Sequence, residues 1–232
     1  FFQKRVHRIT RPVAVEEELE DLAEIIAEAK KPLVIVGGGV RYSEAGETVE
    51  KFCEEFKIPF GESQAGKSAC KSSHPYCLGG IGVTGTYASN IIAEDADVVI
   101  AIGSRMSDFT TSSKRLFKNP DVKFVTINNC RFHAYKMDAA KAVGDAKVTV
   151  EALTKKLRAR GYVSAYNGEI EEAKKVWDKE MVRLAGIEYT GDDFEPIIKA
   201  RDPRTIPEFV KMTNGKITQT AALAAIRRVI DE

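Results

Sequence analysis

The sequence has almost no surplus charge and no long apolar run, and each shortage removes a class of function. Thirty-five Lys and Arg stand against 34 Asp and Glu, so nothing favours nucleic acid or an anionic membrane as a partner. No stretch approaches the roughly 18 apolar residues of a membrane span, and no signal peptide opens the chain; a cytoplasmic protein is expected. With only three histidines, no Ser/His/Asp arrangement declares itself, although His74 and His133 could serve as bases. Cysteine is scarce too, at positions 53, 70, 77 and 130. The spacing Cys70-x3-His74-x2-Cys77, with Cys130-x2-His133 downstream, could supply zinc ligands. It is looser than paired zinc knuckles, so the expectation is four reduced thiols and no metal. An initiator Met is missing as well. The chain starts at Phe1-Phe2-Gln3-Lys4 and stops at Asp231-Glu232, directly after the amphipathic TAALAAIRRVIDE. A piece of a longer polypeptide is expected.

What is present reads as an ordinary globular chain, with 44% apolar and 30% charged residues. Helical spacing runs over 16–30, with acidic residues in the first turn, and Pro32 closes it. LVIVGGG, 33–39, is a continuous apolar run ended by glycines, as expected of a strand buried on both faces. A helix follows over 43–56, with Ser43 as its N-cap. Further strands are predicted at 96–103 and 122–128, with helices through YASNIIAEDA and over 146–161, the last ending at Gly161. Strands alternating with helices predict a parallel α/β sheet with helices on both faces. After residue 163 the composition shifts. EIEEAKKVWDKEMVRLAG is another helix, carrying the only tryptophan, Trp177; 188–215 reads as a linker or arm, and a last helix begins near Thr218.

Three glycine clusters compete for function. GESQAGKS, Gly61–Ser68, completes the phosphate-loop pattern G-x-x-x-x-G-K-[ST]. Such a loop needs a strand running into the glycines and a helix starting at the Lys. Here only Ile58-Pro59-Phe60 precedes it and Pro75 follows, so no ATP site is expected. Gly37-Gly38-Gly39 follows a strand and precedes a helix, but Tyr42 stands where a third spaced glycine should be. GIGVTG, Gly80–Gly85, has the letters of a dinucleotide fingerprint, but HPYCLG before it reads as no strand. Gly38, Gly39, Gly80, Gly82 and Gly85 are therefore candidates, set against a plain turn-forming role. Arg105 and Asp108 follow the strand ending at Gly103, on the edge where open α/β sheets bind ligands; the alternative is a solvated loop with an Arg–Asp pair.

Several of these phrases together resemble one family. PLVIVGGGVRYSEA, PFGESQAGKSA, HPYCLGGIGVTGTYASN and ADVVIAIGSRMSDFTTSSKRLFKNPDVKFVTIN are similar to the central domain of thiamine-diphosphate-dependent enzymes. Within it, GGGVRYSEA, QAGK, LGGIGVTGT and SDFTTSSK resemble the ring-opening trihydroxycyclohexane-1,2-dione hydrolases of myo-inositol breakdown. FFQKRVHRI looks like the entry to that domain. The likeness covers residues 1 to 160 well and the rest loosely. It implies a three-layer Rossmann-like domain over 1–163, a helix and linker over 164–217, and a truncated start of the diphosphate-binding domain over 218–232, giving a helical C-terminal arm.

The same resemblance assigns the opening motif. Its recurring part is Gln64-Ala65-Gly66-Lys67, a loop facing the active-site region, and Gly61 and Ser68 are incidental. Thiamine diphosphate and Mg2+ would need a GDG motif, which is absent; Gly144-Asp145-Ala146 and Gly191-Asp192-Asp193 come nearest. The cofactor is thus implied for the full-length enzyme and not for this segment, which should lack catalysis of its own. Relatives sometimes hold FAD or an ADP-like ligand in this domain. GIGVTGT, with Thr86, is where such contacts would lie, and an empty structural domain is expected. Implied partners are the other domains of the same polypeptide, a polyol-derived substrate in the parent, giving 5-deoxyglucuronate, and further copies of the chain. Two alternatives stay open: an acetolactate synthase or other 2-oxo-acid enzyme, and a stand-alone nucleotide-binding module.

Overall fold

The structure is a computed structural model that describes residues 3, 4, 10–187, 204, 208, 211, 212 and 218–230. The expected entry segment FFQKRVHRI and the 188–215 arm lie largely outside the described residues. The chain divides into two compact units, Phe1–Lys174 and Lys175–Glu232.

The first unit is built on six strands, β1 (Pro32–Val36), β2 (Phe60–Glu62), β3 (Cys77–Gly80), β4 (Val98–Ile102), β5 (Lys123–Asn128) and β6 (Ala140–Val143). They form one sheet in the order β3-β2-β1-β4-β5-β6, and every pair is parallel. The helices are α1 (Glu16–Ala27), α2 (Gly38–Tyr42), α3 (Gly46–Phe56), α4 (Tyr87–Asp95), α5 (Asp108–Thr111), α6 (Arg131–Ala134) and α7 (Ala146–Ala159). PLVIV and VVIAI are buried at every position because helices cover both faces of the sheet. Alternation along the strands sends Val34, Val36, Ile100, Ile102, Val125 and Ile127 to one face, into a cluster with Leu22 and Ile26 of α1, Phe52 and Phe56 of α3, and Leu153 and Leu157 of α7. Leu33, Ile35, Val99 and Ala101 are equally buried outside that cluster, as are Ala88, Ile92 and Ala93 of α4. The predicted α/β architecture with a parallel sheet is what forms.

Several boundaries move, each for a local reason. The first helix ends at Ala27, well before Pro32, which instead opens β1. Ser43 does not cap α3. It lies in the turn after α2, its Oγ donates to Asp145, and α3 begins only at Gly46. CLGG is a strand after all, so GIGVTG does follow one, and β6 is a strand the pattern missed. Both are four residues long, too short for a period to show. The strand before GESQAGKS is Phe60–Glu62 rather than Ile58–Phe60.

The helix α8 (Glu169–Ala185) buries Ile170 and Ala173 in the first unit. In the second unit Arg183 pairs with Glu180 at 2.6 Å. That unit also contains α9 (Gln219–Ile230), whose first turn is capped by Thr218 accepting from the Ala221 amide at 3.2 Å.

Three of the four cysteines, Cys53, Cys70 and Cys77, are buried beside the β2–β3 end of the core. Burial pushes the Cys53 thiol well above its usual range, raises Cys77, and lifts Cys70 from 9.0 to about 12. Burial likewise raises the phenols of Tyr162 and Tyr166. Between the unfolded and folded values the unfolded chain has released protons that the folded one keeps, so stability falls with rising pH. Denaturant midpoints should therefore drop from about pH 8.5 upward, and less steeply in Cys70→Ala. An equally steep fall in that variant would remove the Cys70 thiol from the account.

Candidate functional site

The order β3-β2-β1-β4-β5-β6 reverses direction between β1 and β4, and a crevice opens outside the carboxyl ends of strands at such a point. Here those ends are continued by loop hydrogen bonds: Ser63 N–H to Val36 C=O at 2.9 Å, Gly37 to Ile102 at 2.8 Å, Gly103 to Ile127 at 2.8 Å, and Gly144 to Asn128 at 3.1 Å. Above this ladder lies a cavity of about 1010 Å³, with walls from the segments after β1, β2, β4, β5 and β6.

Four of the predicted residues line it: Gly38, Gly39, Gln64 and Arg105. The glycines serve close packing of loops. A Cβ on Gly37 would run into the Gly103 carbonyl, one on Gly39 would sit 2.6 Å from the Gly103 Cα, and one on Gly38 would touch Ala65 at 3.2 Å. Arg105 is exposed and, among the described residues, forms no ion pair; it does not pair with Asp108, which opens α5 outside the crevice lining.

Gly66 and Lys67 are not lining residues. Gly66 is buried, and a Cβ there would strike the Val36 carbonyl. Lys67 turns to Glu62, whose side chain is fully buried, and donates to it at 3.0 Å and to Ser72 at 2.9 Å. The other Glu62 oxygen accepts from the Ser68 amide at 3.1 Å. A phosphate-binding Lys would be free, and a helix would start there; instead 67–76 are turns and bends. Glu62 ends β2, where an acid can read a ribose in dinucleotide folds, but its carboxylate is already committed.

GIGVTG is a sealed turn. The Gly82 amide donates to Asn90 Oδ1 at 3.0 Å, and Asn90 Nδ2 returns a bond to the Gly82 carbonyl at 3.0 Å. Ile81, Val83, Gly85 and Thr86 amides donate to Glu62, Phe109, Gly82 and Gly80 carbonyls. Gly82 is left-handed, at φ +97°. The Thr86 hydroxyl caps α4, accepting from Ser89 N–H at 3.0 Å, and donates to Leu78 C=O at 2.6 Å. These hydrogen bonds hold the loop together and engage the Ile81, Gly82, Val83, Gly85 and Thr86 amides within it.

The sequence reading missed a polar network on the opposite wall. Asp145 caps α7 by accepting from the Lys147 and Val148 amides. It also takes the Ser43 hydroxyl at 2.8 Å and an ion pair from Arg11 at 3.1 Å. Arg11 in turn donates to Ser43 C=O at 2.6 Å. A helix start after Gly144-Asp145 was the available signal. Asp145 is thus engaged as a helix cap and ion-pair partner. Among the described residues no group of three or more His, Cys, Asp or Glu could hold a metal ion, and no helix is long and apolar enough to cross a membrane. With no GDG motif either, the residues present do not fit thiamine diphosphate and its Mg2+. Beyond β5, Asn129 also lines the crevice, with Cys130 and His133, which the sequence marks only as possible zinc ligands or a base.

Comparison with known proteins agrees with this architecture. The profile of the family described as thiamine pyrophosphate enzyme, central domain, matches residues 19–153. The chain is 59% identical over 232 residues to a protein of Clostridium botulinum (strain Alaska E43 / Type E3) named 3D-(3,5/4)-trihydroxycyclohexane-1,2-dione hydrolase. It is 60% identical over 232 residues to one of that name from Clostridium perfringens (strain ATCC 13124). A Bacillus cereus (strain ZK / E33L) protein, hydrolase 1 of that name, is 50% identical over 232 residues. In each case the match covers 100% of this chain and 36% of the relative's length. From its parallel sheet, its strand order and the match over 19–153, the chain belongs to the central-domain family of thiamine pyrophosphate enzymes.

Proposed function

We propose that this chain is the middle, mainly structural domain of an enzyme that hydrolytically opens the ring of a trihydroxycyclohexane-1,2-dione. The observation that carries this reading is identity of 59–60% along all 232 residues to proteins named for that reaction. In this reading residues 1–163 form the central domain, 164–217 a helix and linker, and 218–232 the start of the diphosphate-binding domain. Thiamine diphosphate and Mg2+ belong to the other domains of the parent, which works in the cytoplasm as a homo-oligomer. The segment alone is inactive, because it lacks the residues that would hold the cofactor. What its own residues contribute is a rigid edge. The Lys67–Glu62 pair fixes the QAGK turn, Gly103 locks the β1 and β4 loops together, and Arg105 is presented from the loop that follows.

The test is turnover by the full-length parent, with Mg2+ and with or without thiamine diphosphate, comparing the cyclic trihydroxydione with pyruvate. Ring opening that vanishes without thiamine diphosphate is expected. Consumption of pyruvate with an inert dione would sink the reading and favour a 2-oxo-acid enzyme.

A further inference from the structure

We propose that the mouth of the crevice between the ends of β4 and β5 binds a compact polyhydroxylated anion, a sugar acid or a sugar phosphate, through Arg105 and His133. The devices by which such a sheet holds a dinucleotide are already consumed. Gly37 and Gly39 pack on Gly103, Glu62 is paired with Lys67, and the amides of GIGVTG close their own turn.

What remains uncommitted is cationic and polar. Asp145 is the one carboxylate lining the crevice among the described residues, and it is already paired with Arg11 at 3.1 Å, which also reaches exposed Glu44 at 3.3 Å. Arg105 lines the facing wall, exposed and without an ion pair among the described residues, so its charge is uncommitted. His133 lines it too, and its Nδ1 is buried with no hydrogen-bond partner. A buried ring nitrogen left unpaired costs free energy. The side-chain amides of Gln64 and Asn129 stand exposed at the lining, offering donors and acceptors suited to hydroxyl groups. Arginine with adjacent amides and an imidazole reads as a seat for a carboxylate or phosphate head on a hydroxylated body.

Cys130 supplies a local reporter, because it is exposed and lines the crevice, whereas Cys53, Cys70 and Cys77 are buried. In the full-length protein, iodoacetamide labelling of the Cys130 peptide would be followed by mass spectrometry. The probes are gluconate, glucose 6-phosphate, neutral myo-inositol and ADP, each at about 10 mM, against a Kd of about 1 mM. One or both anions should slow Cys130 labelling about tenfold, as that occupancy requires, and which of them does so identifies the head group. Arg105→Ala should weaken binding about tenfold or more, cutting protection to about twofold or less, while Arg105→Lys retains more of it. Continued silence of the three buried cysteines certifies the fold of each variant. Protection by ADP alone, equal protection by myo-inositol, undiminished protection in Arg105→Ala, or no protection by either anion would overturn the proposal. Because Cys130 reports on the crevice, the result is independent of what the parent turns over.

Discussion

Replacing Gly103 by alanine should cost about 3 kcal/mol or more of folding stability, the sum of a strained backbone and an overfilled loop contact. Gly103 has φ +60°, and an alanine Cβ there would meet the Gly39 Cα at 2.5 Å and the Val40 nitrogen at 2.8 Å. Both are backbone atoms, so no side chain can swing away. Nor can the backbone retreat easily, since Gly103 N–H donates to Ile127 at 2.8 Å and its carbonyl accepts from Gly39 at 3.0 Å. The matched control is Gly161, which has nearly the same φ, +65°, but nothing within 4 Å of the point where a Cβ would stand. Gly161→Ala should therefore cost only the backbone part, about 1 kcal/mol. Urea unfolding of the two variants separates strain from crowding. Equal losses would mean that the β1 and β4 loops do not pack as closely as described.

That contrast also shows what the sequence could and could not disclose. An apolar run ended by glycine announces a buried strand, and PLVIV and VVIAI were legible for that reason. The role of the glycine was not, because its partner lies across the sheet edge: Gly103 and Gly37 to Gly39 are more than sixty residues apart in the chain and meet only once β1 and β4 pair. Lys67 was legible as a loop residue but not as the partner of Glu62, since Glu62 became a buried acid only when β2 placed it at the strand end. For the same reason GIGVTG looked like a fingerprint. Its letters are those of a turn with a left-handed glycine, and only Asn90, one turn into α4, shows that the amides are spent. CLGG and AKAV were unreadable as strands because four residues hold barely two periods.

Asp145→Ala should be the next most damaging change, at about 3 kcal/mol, because one carboxylate does three jobs. It caps α7, and losing a cap costs typically about 1 kcal/mol. It accepts the Ser43 hydroxyl, whose buried oxygen would lose a partner at about another 1 kcal/mol. It also pairs with Arg11, whose side chain is 33% exposed, so that part is screened and contributes up to about 1 kcal/mol. Asp145→Asn separates the jobs, since asparagine caps as well as aspartate and still accepts a hydrogen bond; it should lose only the charged part, and less of it in high salt. A double-mutant cycle with Arg11→Ala should then give a coupling of about 1 kcal/mol. A coupling near zero would make Arg11 a bystander. A measurable one would fit the backbone, where the Asp145 amide donates to Pro12 C=O at 2.8 Å. Residues 10–14 would then be held to the start of α7 from both sides, by a main-chain bond and by an ion pair, and the chain would enter the domain at a fixed point on the crevice wall.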